Sequence, residues 1–155
     1  MNEYLVVKWL HILSSTILFG TGIGSAFYMF FASRQPDARV AHFVVRHVVV
    51  ADWVFTTTAI IVQPATGLWL AHIAGFPLTG AWILWSIVLY LVAGACWLPV
   101  VWIQYQMREL ARVAAEGNSA LPERFHRLFR AWVALGIPAF FALVVVFYLM
   151  VAKPV

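Results

Sequence analysis

The chain has 155 residues, of which 64% are hydrophobic and only 10% charged, with 8 tryptophans and a net charge of +4. This composition excludes a soluble globular domain and identifies a membrane protein. Its arginines cluster in loops between apolar runs, a topology signal that requires no nucleic-acid partner. The lone cysteine, Cys96, excludes an intrachain disulfide and a Cys-rich metal site.

A bilayer core about 30 Å thick takes roughly 20 apolar residues per helix. Stretches near 5–32, 47–73, 81–104 and 129–152 meet that length. They are continuous rather than alternating, and lipid-exposed strands would leave backbone groups unpaired. The expected fold is all-α, a four-helix transmembrane bundle forming one integral membrane domain over residues 1–155.

The first stretch is too long for a signal peptide and runs through "GTGIGSAFYMFFASR" without a cleavage site, so it reads as a mature helix. Gly20 and Gly24 have GxxxG spacing, with Gly22 and Ala26 in the adjoining register. That face permits close contact with another helix of the chain, or with a second protomer in a homo-oligomer. Helical phase places His11, Ser15, Leu18, Gly22 and Ser25 on one stripe, expected to look into the bundle. Lys8, a turn nearer the surface, snorkels to the outer headgroups.

The linker "RQPDARVAHFVVRH" precedes the second stretch. There, a step of about 100° per residue puts Asp52, Thr56 and Gln63 on one side, and His47, Thr58 and His72 on another. Pro64, Pro99 and Pro138 lie inside three of the spans, where each frees a carbonyl and favours a kink. The third helix is expected to continue into "RELARVAAEGNSALPERFHR" until "EGNSALP" breaks it.

Arg34, Arg39 and Arg46 flank the first loop, and Arg108, Arg112, Arg124, Arg127 and Arg130 flank the third. The second loop has no Lys or Arg. The basic loops are therefore expected in the cytoplasm, with both termini and loop 74–80 outside.

Polar groups at membrane depth are costly unless paired, which makes them functional candidates. Toward the outer side these are Lys8, His11, Gln63 and His72. Toward the inner side they are His42, Arg46, His47, Asp52, Gln104, His126 and Arg130. His47 and His72 are on the order of 37 Å apart along one helix, too far to share a cofactor. His11 and His72 both lie near the outer boundary, where facing imidazoles hold haem iron axially. In the alternative, each histidine only donates a hydrogen bond to a neighbour. Asp52 requires a partner at its depth, and Arg130 is the natural one. His126, one turn before Arg130, makes a second candidate ligand pair with His47. "RFHRLFR" equally suits an ordinary basic interfacial helix start.

"VKWLHIL" followed by "LFGTGIGSAFYMFFASR" resembles the first helix of the HemJ family. These are four-helix bacterial membrane proteins that oxidise protoporphyrinogen and bind haem b through a first-helix histidine. "TGLWL" and "GIPAFFALVVVFYLMVAKPV" are similar to parts of its second and fourth helices. The wider pattern, with "RHVVVADW", "VQPATGLWL" and "ACWLPVVW", is similar to a bacterial integral-membrane family classed only as a domain of unknown function, read as a distant HemJ relative. The resemblance implies His11 as a ligand of haem b and a bacterial inner-membrane location, in which the outward termini expected from the basic loops would be periplasmic. This chain has Leu84 and Ser86 where HemJ proteins carry a third-helix His and Lys. It has Leu135 and Gly136 where they carry Asn-Glu, so oxidoreductase activity is left open.

Two function classes follow. One is a haem-binding electron-transfer protein with a redox partner or quinone. The other is a non-catalytic accessory subunit or small-solute binder whose histidines are structural. No nucleophile, phosphate loop or carboxylate pair supports a hydrolase or an NTPase.

Overall fold

A computed structural model describes residues 2–154. It contains four long antiparallel helices and no strand among the described residues: α1 (Glu3–Ala32), α2 (Ala38–Ile73), α3 (Ala81–Glu116) and α4 (Glu123–Ala152). Each is long and apolar enough to cross a membrane. Glu3 and Ala152 lie at the same end as the α2–α3 loop, as expected. Met1 and Val155, the termini themselves, fall outside the described residues.

Local chemistry fixes the helix ends. Asn2 accepts from the Tyr4 amide, and Asp37 Oδ1 accepts from the Arg39 amide over 2.9 Å, each capping a helix start. α2 ends with Gly75 at φ 70°, the Phe76 amide reaching back to the Ala71 carbonyl. α3 ends the same way, with Asn118 at φ 49° and the Ser119 amide on the Ala114 carbonyl.

Two helices begin earlier than their apolar runs. α2 starts at Ala38 rather than near 47, because most of the first linker is itself an amphipathic helix. Ala38, Ala41, Val45 and Val48 are buried while Arg39 and Arg46 are exposed. α4 starts at Glu123 rather than near 129, because Phe125 is a core residue. The expected extension of α3 reaches Glu116.

α2 and α3 have 36 residues each, about 54 Å at 1.5 Å per residue. A hydrocarbon core of about 30 Å leaves roughly 24 Å outside. The surplus lies at the arginine-rich end, where Met29, Val45, Met107, Phe125 and Trp132 form a buried core. The protein is thus a membrane bundle with a helical head.

The helices pack unevenly. α4 runs along α3, α1 lies against α2, and α2 packs on α3 only over residues 38–51. From Asp52 to Ile73, no α2 Cα comes within 8 Å of an α3 Cα. On the other side of the bundle, α1 meets α4 through Phe19, whose ring is 5.1 Å from Phe140 and 5.3 Å from Phe147. A crevice therefore opens between α2 and α3 beyond Asp52.

At that point the backbone makes a π-helical turn, Asp52–Thr56. The prolines do not break their helices; α2, α3 and α4 run on through Pro64, Pro99 and Pro138. Pro64 does free the Ile60 carbonyl by lacking an N–H. Tyr90 takes up that carbonyl, its hydroxyl donating to it over 2.8 Å across the crevice.

The glycine face of α1 corrects another expectation. A Cβ built on Gly20, Gly22 or Gly24 meets nothing within 4 Å, so none of them marks a close approach within the chain. The inward face of α1 instead runs through Val7, Ser14, Ser25 and Met29.

Candidate functional site

His11 is half-buried in the α1–α2 interface, and both of its ring nitrogens are engaged. Nδ1 lies 2.9 Å from Thr66 Oγ1, and Nε2 lies 3.2 Å from Gln63 Nε2. The Thr66 hydroxyl donates to the Val62 carbonyl over 2.7 Å, so toward His11 it accepts. Nδ1 therefore carries the proton, and Nε2 accepts from the Gln63 amide. Gln63 Oε1 in turn accepts from the Ser14 hydroxyl. The network is closed, and it holds the imidazole by both ring nitrogens.

Small residues make room for it. A Cβ on Gly67 would lie 3.1 Å from His11 Cε1, the one glycine at which another helix's side chain fits into the missing Cβ. Ser14 and Thr66 carry no apolar bulk and were not singled out from the sequence. The legible signal was their spacing, His11–Ser14 and Gln63–Thr66, each i, i+3 on facing helices.

The structure does not bring His72 to His11. His72 is exposed, six residues beyond Thr66 and so on a different face of α2. A haem between these two histidines would need His11 released from Thr66 or Gln63 and α2 turned about its axis. The residues as placed do not fit that ligand pair. His47 and His126 are not a pair either. The His47 ring sits 4.2 Å from Phe43 with Nδ1 on the Phe43 carbonyl, while His126 packs edge-on to Phe125. Among the described residues, no three His, Cys, Asp or Glu gather as a metal site. Lys8 is exposed, its ammonium 5.6 Å from the Tyr4 ring centre.

Asp52 is the second polar centre. It is buried in the π turn, with Oδ1 accepting from the Thr56 hydroxyl and Oδ2 accepting from Gln104 Nε2, both over 2.8 Å. The expected pairing with Arg130 is not formed. Arg130 is exposed on α4 and bonds Glu123 over 3.3 Å. α4 packs against α3 and α1 but not α2, which is why it delivers no cation to Asp52. Nor do Gln63 and Asp52 form one cluster, since Gln63 faces α1 and Asp52 faces α3.

Around Asp52 the packing leaves a narrow slot, too tight for a water molecule as it stands, with Gln104, Trp53, Trp97 and Tyr105 in its lining. Trp53 Nε1 donates to the Tyr105 hydroxyl over 2.6 Å and closes its outer lip. Trp97 Nε1 is buried with no acceptor, one of two such atoms among the described residues. A carboxylate without a cationic side chain and an unsatisfied N–H thus share one slot. Trp97 was not legible as a site residue because, in sequence, it is one tryptophan of eight.

The four-span fold and a buried acidic slot are the context for comparison with known proteins. A family model described as "Predicted integral membrane protein (DUF2269)" matches residues 5–154. The chain belongs to this family. The match takes in all four helices, so both polar centres lie within the shared region. No curated protein and no solved structure matches the chain.

Proposed function

We propose that this membrane protein is a small-solute binder with structural histidines, and that its solute is a small cation of the ammonium class held at Asp52. The observation that carries this reading is a buried carboxylate with no Lys, Arg or His among its hydrogen-bond partners. A buried charge without a counter-charge is costly, and intramembrane carboxylates mark ion and solute sites. The indole and phenol rings of Trp53, Trp97 and Tyr105 line the same slot. Aromatic faces stabilise ammonium groups. Entry parts α2 from α3 at the place where their packing already ends.

The closed network around His11 supports its structural role: it joins α1 to α2 without a free ligand nitrogen. The competing reading is a HemJ-like haem b protein passing electrons to a quinone or redox partner. It requires that network to open. We place the arginine-rich head in the bacterial cytoplasm and the ends of α1 and α4 in the periplasm, from the bias in basic loops.

Tryptophan fluorescence of the purified protein tests the proposal. Methylammonium should give a saturable change that methanol at equal concentration does not, and Asp52→Asn should remove it. Equal titration of the Asp52→Asn variant overturns the cation reading. A Soret band in protein expressed with ample haem, lost in His11→Ala, would establish the redox reading instead.

A further inference from the structure

We infer that the crevice between α2 and α3 holds one anionic phospholipid, its phosphate between Arg46 and Arg108 and one acyl chain lying along the opening beyond Asp52. This does not rest on the cation reading.

Three observations converge. The first is space: residues 52–73 of α2 keep every Cα more than 8 Å from those of α3, and beyond the Asp52–Gln104 and Trp53–Tyr105 bonds at its base the opening is crossed, among the described residues, only by the bond of Tyr90 to Ile60. In a bilayer such an opening between apolar helices fills with acyl chain. The second is the level of the opening. Trp53, 55% exposed, and Tyr105 are joined at its base, and indole and phenol groups settle at the headgroup boundary.

The third is charge. The Arg108 guanidinium lies 4.8 Å from the Tyr105 ring centre. Arg46 is exposed, seven residues before Trp53 and so on the same stripe of α2. Of the other arginines of the head, Arg112 is held by Glu109 and Glu116, Arg130 by Glu123 and Arg39 by Asn118; Arg34 lies on its own Phe30 ring, and Arg124 and Arg127, which also form no ion pair among the described residues, stand on α4, which does not pack on α2. Among the described residues, neither Arg46 nor Arg108 forms an ion pair. Two unpaired guanidiniums above an aromatic step and an apolar crevice match a phosphodiester with its chain below, and guanidinium is suited to bidentate phosphate contact. Asp52 does not oppose this, since it is buried a turn inside and bonded to Gln104 and Thr56.

Native mass spectrometry of the full chain from detergent micelles tests the inference, using phosphatidylglycerol and phosphatidylcholine with identical chains. One phosphatidylglycerol should be retained in preference to phosphatidylcholine. Each of Arg46→Gln and Arg108→Gln should weaken it about fivefold, and the pair about thirtyfold. Arg124→Gln/Arg127→Gln, with the same loss of charge away from the crevice, should change it less than twofold. Equal weakening in that control shows general surface attraction and overturns the site. So does displacement of the lipid by glycerol phosphate at matched concentration, which would assign a free-phosphate site. Circular dichroism of every variant keeps folding separate from binding.

Discussion

Gln104 donates from Nε2 to the Asp52 carboxylate over 2.8 Å, and this bond spans the point at which α2 and α3 part. Inside it, toward the charged head, the helices are packed. Beyond it they are tied by Trp53–Tyr105 and then by Tyr90 on Ile60. The bond therefore holds the base of the crevice closed and satisfies a buried carboxyl group that has no cationic partner among the described residues.

If so, Gln104→Leu should destabilise the fold by about 1–3 kcal/mol, because a buried carboxyl acceptor loses its donor. Asp52→Leu/Gln104→Leu should recover most of that, since no group is left unsatisfied. Reversible unfolding in mixed micelles reads both. A double variant worse than the sum of its single substitutions would show that the pair serves packing rather than polarity.

His11 and Gly67 give a second, independent prediction. A leucine at Gly67 drives into the ring at a position where even a Cβ would lie 3.1 Å from Cε1, an overpacking cost of about 1–3 kcal/mol. Adding His11→Ala makes room, so the double variant should be more stable than Gly67→Leu alone. Additive destabilisation in this cycle would mean the two residues are not in contact.

Tyr90→Phe should cost about 1 kcal/mol, the scale of an interhelical hydrogen bond in a membrane. In a Pro64→Ala background it should cost almost nothing, because the restored amide at residue 64 satisfies the Ile60 carbonyl within the helix. An equal loss in both backgrounds would show that the hydroxyl is not bound to the carbonyl that proline frees.

Topology is checked with reporter fusions in the loops. A cytoplasm-active reporter at Asn118 should be active and one at Leu78 silent, as the arginines of the head require. The reverse pattern would place the Asp52 slot near the outer face.

The four spans were legible because continuous apolar runs of membrane length admit little else. The early starts of α2 and α4 were not, because "RQPDARVAHFVVRH" reads as a linker and "RFHRLFR" as a basic interfacial start until the head core that buries Val45 and Phe125 is in view. His11 was correctly read as turned into the bundle, but its partners were misassigned. Gln63 was placed with Asp52 by counting 100° per residue along an unbroken α-helix. The π turn at Asp52–Thr56 shifts that phase, sending Gln63 and Thr66 to α1 while Asp52 stays on α3. Nothing in "ADWVFTTT" announces the turn; the pairing of Asp52 with Arg130 failed separately, because it was read from their common level in the membrane and α4 does not pack on α2.

Calorimetric titration of methylammonium into the purified protein tests the central claim most directly. The titration should show one site per chain in the wild type and in His11→Ala, and none in Asp52→Asn. Heat that survives intact in Asp52→Asn, or that disappears with His11→Ala while the fold is kept, would contradict it.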